Sequence, residues 1–418
     1  MTGMPDTPDK GAALRSRTGL RRLGVGLLIG AVAWTMPFAA ASSVLLPAKI
    51  AILDPHDKVG LLAILTIAGS IVALLSNVLF GALSDLTRSR FGSRNPWIFC
   101  GGIVAAAFML LLSTANDIAT LILWWCLFSA AMNAVVASVV AVIPDRVPRA
   151  KRGSISAIYG AGTLVGVTAG AIVAAQFIAK PSTGMVVLAI VIGVLPIVFV
   201  FVAPDFSNAG TDRGRFSGRD LLKSFALPRK APDFYWALLG RLAIVLGYFM
   251  ISAYQLYILT DYIHLDSASA AAIISFGALI TLTASIVGTV VSGPISDRIG
   301  RRKLPVIAAT VLFSVAILLP FAFPTAWAML VFAGVAGFGF GIYISVDAAL
   351  MTEVLPNENT RGKDLGILNM ANTGGQILAP AASSLVVGIG IGFGPVFLIA
   401  VAFCLLGALA IVPIRSVR

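Results

Sequence analysis

Of the 18 acidic residues in this chain, Asp347 is the one that falls clearly inside a long hydrophobic run, and Arg241 is its one basic counterpart. Asp261 and Glu353 lie near the ends of such runs. A charge at mid-depth in hydrocarbon costs about 2.5–3.5 kcal/mol on insertion scales, so each of the two must face protein or water and find a partner. Desolvation favours the neutral carboxylic acid, whereas a nearby guanidinium favours the carboxylate. A group moved between those environments takes up and releases a proton. The chemistry open to the pair is therefore proton binding at Asp347 with Arg241 tuning it, or retention of an anionic group by Arg241. The alternative is a permanent structural ion pair joining the seventh and tenth hydrophobic segments.

Neutral polar side chains gather in the same kind of segment: Trp34, Asn133, Tyr159, Gln176, Tyr248, Tyr254, Gln255, Tyr257, Asn369, Asn372 and Gln376. Amides and aromatic rings in one cavity suit a solute with a rim of hydroxyls and an apolar face, such as a sugar. Trp34, Asn133, Tyr248, Tyr254, Gln255, Asn372 and Gln376 are the candidates for solute contact. Membrane helices also use such residues to hold one another. Other chemistries lack their residues. No nucleophile–base pair, phosphate-binding Gly-Lys-Ser/Thr loop or redox motif is present. Cys100, Cys126 and Cys404 sit in apolar runs at no metal spacing, and His56 and His264 fall in loops without matching ligands. Neither an enzyme nor a cofactor nor a metal is expected.

The elements that must position these groups are hydrophobic helices. Hydrophobic residues make up 58% of the chain and charged ones 11%, with a mean hydropathy of +0.97. Soluble domains carry about a quarter charged residues, so lipid is the expected solvent. Runs of about 20 apolar residues, enough to cross a bilayer, lie at 23–46, 59–83, 96–114, 118–143, 154–178 and 183–203. Six more lie at 234–260, 268–292, 304–323, 325–352, 365–388 and 391–413. The expected organisation is a tail (1–22), a six-helix bundle (23–203), a polar linker (204–233) and a second six-helix bundle (234–418). Of the 30 Lys and Arg residues, 26 fall in the two termini and alternate loops, leaving Lys49, Lys58 and Lys180 on the opposite side and Arg241 within a span. That asymmetry predicts cytoplasmic termini and basic loops. The net charge of +12 then belongs at anionic headgroups, not on a nucleic acid.

The halves repeat. Gly81-Ala-Leu-Ser-Asp85 returns as Gly293-Pro-Ile-Ser-Asp297, 212 residues later, each followed by basic residues. The second copy continues Arg298-Ile-Gly300-Arg301-Arg302. The first continues Leu-Thr-Arg88-Ser-Arg90-Phe-Gly92-Ser-Arg94, with four residues inserted before its second glycine. This loop, twelve spans and two halves resemble the major facilitator superfamily, whose signature is Gly-x-x-x-Asp-Arg/Lys-x-Gly-Arg/Lys-Arg/Lys. The expanded first copy resembles the sucrose and glycoside–pentoside–hexuronide branches. The resemblance implies an all-α membrane protein with two pseudo-symmetric six-helix bundles and a central cavity lined by the first, fourth, seventh and tenth helices. It also implies a conformational latch at Gly81, Asp85, Arg94, Gly293, Asp297, Arg298, Arg301 and Arg302. Ile143-Pro144-Asp145-Arg146 with Arg152 is echoed by Leu355-Pro356 with Arg361, which makes Arg152 and Arg361 candidates to answer the acidic loop residue. The plainer alternative is a basic loop that fixes topology.

Gly162, Gly166 and Gly170 form a smooth four-residue stripe in the fifth span. Drug–proton antiporters of the superfamily carry a similar pattern with proline where this chain has Val167. The expectation is proton-coupled (alternatively Na⁺-coupled) secondary transport of a small polar organic solute, a sugar or glycoside, by a monomer in the plasma membrane. The rivals are proton-driven export of drugs or metabolites, and a receptor that translocates nothing.

Overall fold

The structure, a computed structural model, describes residues 19–209, 228, 231–299, 302–355 and 361–414. Among these residues there is no strand. Twelve long helices follow in order: α1 (Leu20–Leu53), α2 (Lys58–Leu86), α3 (Asn95–Thr114), α4 (Ile118–Arg146), α5 (Arg152–Ala175) and α6 (Pro181–Val202). The second half gives α7 (Pro232–Ser252), α8 (Ser267–Ile299), α9 (Lys303–Ala322), α10 (Ala326–Glu353), α11 (Arg361–Val386) and α12 (Gly394–Ile411). Helices satisfy every backbone group internally, which hydrocarbon demands.

Eleven of the twelve are long and apolar enough to cross a bilayer. The twelfth, α11, has length enough at 26 residues. Its composition falls short, because Asn369, Asn372 and Gln376 interrupt the apolar run expected at 365–388.

Local sequence sets the helix starts. Pro96, Pro181, Pro232 and Pro395 occupy first-turn positions of α3, α6, α7 and α12, where a missing N–H leaves no bond unmade. The Asp117 carboxylate accepts the Thr120 amide at 2.9 Å ahead of α4, and Asp266 accepts the Ser269 amide at 3.2 Å ahead of α8. Hydrogen bonds from Thr120 and Ser269 hold both carboxyls below their ordinary range.

The first helix of each half is irregular in its last third. In α1 a π-helical turn covers Ala41–Leu45. The run expected at 234–260 is not one helix: α7 stops at Ser252, resumes at Gln255–Tyr257 and ends in a π turn, Ile258–Tyr262. The Ser252 hydroxyl donates back to the Tyr248 carbonyl at 3.2 Å, a bond that bends helices. A third π segment, Val387–Ile391, extends α11 and stops at Gly390 and Gly392, both with positive φ.

Contacts divide the chain into two compact units, each counted over its described residues. The first takes Met1–Ala39, Ala68–Gly170 and Ser182–Phe216; the second takes Ala40–Ile67, Ala171–Pro181 and Ser217–Arg418. The ends of α1, α2 and α5 that meet the loops opposite the basic ones thus pack with the second-half helices. On α1 the change of unit falls at the edge of the π turn.

Within each unit small residues let helices touch. In the first, a Cβ on Gly162 would meet the Leu28 carbonyl and Ala31 of α1. In the second, a Cβ on Gly375 would meet Val245 of α7, repeating that contact. The α8–α10 seam is a hydroxyl ladder: Thr281 donates to the Ala333 carbonyl at 3.2 Å, Ser285 to Gly337 at 2.8 Å and Thr289 to Gly341 at 3.1 Å. Gly288, Gly337 and Gly341 make this approach possible, as a Cβ on any of them would strike backbone of the facing helix.

Candidate functional site: a buried ion pair, an amide–indole cluster and paired loop clasps

In the second unit, α7 and α10 bring Arg241 and Asp347 together. Nε of Arg241 lies 3.5 Å from Oδ2 of Asp347, and both side chains are largely buried. The contact is ionic, without an aligned hydrogen bond at Nε. Tyr343 precedes Asp347 by one turn and places its buried phenol in the field of the same pair. An aromatic stack continues from it. Tyr248 lies face to face with Phe340, centroids 4.8 Å apart, and tilts against Phe313 at 5.5 Å. Sequence reasoning named Arg241, Asp347 and Tyr248 but missed Tyr343, although its four-residue spacing from Asp347 marks one helix face.

In the first unit a second polar cluster forms on α1, α2, α4 and α5. The Trp34 indole donates to the Tyr159 hydroxyl at 3.0 Å. The Asn77 amide donates to Asn133 Oδ1 at 3.1 Å, and Asn133 in turn donates to the Ser129 carbonyl at 2.9 Å. Phe38, Trp125 and Phe128 stack beside them at 5.4 Å intervals.

The remaining solute candidates are placed differently. Tyr254 is 1% exposed, and its hydroxyl shares its one proton between the carbonyls of Val59 and Pro380, each 3.0 Å away. Tyr257 likewise donates to the Pro47 carbonyl at 2.9 Å. Gln255 and Asn372 are half-buried, whereas Gln376 and Asn369 are exposed on α11. Gln176 reaches the Ile172 carbonyl and Ser275 at 3.4 and 3.5 Å.

The loop motif closes through an arginine. Arg94, at the N-cap of α3, is 7% exposed. Its guanidinium meets Asp85 at 2.5 Å and Asp145 at the end of α4 at 2.8 Å, and it donates to the Ser84 hydroxyl. Burial disfavours the charge, but the Asp145 and Asp85 carboxylates outweigh it and raise the pKa. Gly92 explains the motif's second glycine: its φ is +82°, and a Cβ there would collide with the Asp205 carboxylate.

The second half repeats the clasp. Arg302, at the N-cap of α9, meets Glu353 at the end of α10 at 3.3 Å. Arg94–Asp145 and Arg302–Glu353 are both separated by 51 residues. Equal separations were the signal for these carboxylate partners, which the sequence reading did not use.

Other latch candidates sit otherwise. Arg152 bonds the Pro144 and Val147 carbonyls at 2.8 and 3.1 Å, capping α4 instead of answering Asp85. A Cβ on Gly81 would meet nothing within 4 Å, so close helix approach does not explain that glycine. Arg298 is exposed near the end of α8. Gly293 and Asp297 lie in α8 and Arg361 opens α11, but their side chains, and the whole of Arg301 and Pro356, fall outside the described residues.

This arrangement of helices and loop motif matches a known family over nearly the whole chain. The Major Facilitator Superfamily pattern matches residues 23–288 and 256–417. The chain belongs to the major facilitator superfamily. It is a multi-pass membrane transporter of small solutes and not an enzyme. A mutant of the nucleoside transporter NupG is similar to it in structure, with a TM-score of 0.76 and 14% identity over 94% of this chain and 99% of that one. A bacterial homologue of the human lysosomal transporter Spinster, in an inward-facing and unoccupied conformation, matches at 0.65 and 15%, covering 94% and 95%. At such identities these likenesses concern the fold. No curated protein matches by sequence.

Proposed function

We propose that this superfamily member moves a small hydroxyl-bearing organic solute, a sugar or glycoside, by proton-coupled alternating access across the plasma membrane, with its termini cytoplasmic. The Arg241–Asp347 contact carries the coupling part of the reading. A carboxyl buried with a single guanidinium at 3.5 Å alternates between charged and neutral forms as its surroundings change. Trp34 and Asn133, with Tyr159 and Asn77 found beside them, offer donors and acceptors that match hydroxyl rims. Tyr248 offers an apolar ring face. The expanded first loop supports the sugar branch. The Arg94 and Arg302 clasps at the basic loops take the latch role.

The test is uptake by proteoliposomes of labelled sugars, glycosides and nucleosides, with and without an imposed pH gradient. Gradient-driven accumulation of a hydroxylated solute supports the reading. Accumulation that follows Na⁺ instead replaces the ion. Loss of preloaded dye or drug on acidifying the opposite side, with no saccharide uptake, replaces it with export.

A further inference from the structure

Helix α11, in the second unit, has one buried face and two exposed faces of opposite character. Leu368, Ala371, Gly375 and Ala379 are buried. Gly375 lies so close to α7 that a Cβ there would meet Val245 and the Leu242 carbonyl. Asn369, Thr373 and Gln376 are exposed, and so are Met370, Leu378 and Leu385. At about 100° per residue the three polar residues share one face and the three apolar ones another, their centres about 140° apart. The two faces therefore meet different surroundings. Acyl chains suit Met370, Leu378 and Leu385 but not the other three.

Hydrogen bonding separates this stripe from other polar residues in the spans. Trp34 is spent on Tyr159, Asn77 on Asn133, and Thr281, Ser285 and Thr289 on carbonyls of α10. Asn369, Thr373 and Gln376 make no hydrogen bond among the described residues. An amide without a partner is costly in hydrocarbon, so water must supply the bonds that protein does not. The stripe sits mid-way along a 26-residue helix, the one of the twelve whose composition falls short of a span. From Asn369 to Gln376 the helix rises about 10.5 Å, too far for a single pyranose ring and the length of two linked ones. Each side chain both donates and accepts, and none carries a charge, which suits the hydroxyls of a neutral solute.

We infer that Asn369, Thr373 and Gln376 form a water-facing polar track on α11 that hydrogen-bonds the hydroxyls of a solute two linked rings long. The track replaces the water on this face with solute hydroxyls one position at a time. Its facing water rests on the geometry of α11 alone; its solute rests on the sugar or glycoside reading above.

Two arms test it in full-length protein in liposomes. In the first, Cys100, Cys126 and Cys404 are replaced, and single variants Asn369→Cys, Thr373→Cys and Gln376→Cys are compared with Met370→Cys and Leu378→Cys. A cationic, membrane-impermeant thiosulfonate is added on both sides. The three track cysteines react about tenfold or more faster than the two on the apolar face, because the reactive thiolate needs water. Equal rates overturn the inference. This arm uses no solute, so it is decided apart from the uptake panel. In the second arm, a labelled disaccharide and a labelled monosaccharide are compared in the parent, Asn369→Leu and Gln376→Leu. Each variant raises the KM of the disaccharide about five- to tenfold, the loss of one hydrogen bond, with kcat within about twofold and the KM of the monosaccharide raised less than about threefold. The thermal midpoints do not fall, since these amides bond no protein group. An unchanged disaccharide KM in both variants overturns the solute contact, and equal rises for the two solutes overturn the two-ring length. A parent that takes up neither removes the glycoside reading and the solute with it, while the labelling still decides whether the track faces water.

Discussion

Removing one partner of the Arg241–Asp347 pair should cost unequal amounts depending on which partner is removed. With Asp347→Asn, the Arg241 guanidinium stays buried and cannot shed its charge. The expected loss is about 3–5 kcal/mol, the range for an uncompensated buried ion. With Arg241→Gln the orphan is a carboxyl, which persists as the neutral acid beside the Tyr343 phenol. The loss should then be about 1–3 kcal/mol, that of an unsatisfied buried polar group. The long 3.5 Å contact without an aligned hydrogen bond adds a further expectation. Arg241→Met with Asp347→Leu should be more stable than Asp347→Asn alone, because no charge remains to be buried. Thermal unfolding of the four purified proteins in one detergent measures the order. Equal losses in the two single variants, or a double variant below Asp347→Asn, would refute the reasoning.

Three further outcomes follow from named contacts. Arg94→Lys places one ammonium where a fork spans Asp85, Asp145 and Ser84, and should lose about 1–2 kcal/mol of the charge-assisted bonding; proteolysis of the loop in inside-out vesicles should accelerate. Gly341→Ala drives a methyl into Ser285 backbone at the α8–α10 seam and should destabilise by about 1–3 kcal/mol, read by thermal unfolding; an unchanged midpoint would disprove the tight seam. Trp34→Phe removes the bond to Tyr159 while keeping an apolar ring, so the solute KM should rise by about tenfold with thermal stability nearly unchanged.

Much of the architecture could be read from residue order because hydrocarbon allows few solutions. The apolar runs became the helices. Pro96, Pro232 and Pro395, which lack an N–H, and the capping carboxylate of Asp117 stand at helix starts that the apolar runs alone did not place. Asp347 and Arg241 could be paired by elimination, since each was the lone charge of its sign in a span. What stayed hidden depends on which helix faces which. Asp145 and Glu353 complete the loop clasps across two antiparallel helices, a register that periodicity alone does not reveal. Tyr254 was grouped with solute ligands because phenols suit sugars, but its hydroxyl is spent on backbone carbonyls 195 and 126 residues away. Lys58 and Asp261 form an ion pair 203 residues apart, and no local pattern joins them. The π turns at Ala41–Leu45 and Ile258–Tyr262 contain neither Pro nor Gly, so no breaker announced them.

Proton coupling through Asp347 is tested most directly by comparing wild type and Asp347→Asn in proteoliposomes, in two modes on the same preparation. One mode measures solute–solute exchange at equal pH on both sides; the other measures accumulation driven by a pH gradient. The account predicts that Asp347→Asn retains exchange but accumulates nothing above equilibration, while wild type does both. Gradient-driven accumulation by Asp347→Asn equal to that of wild type would contradict it.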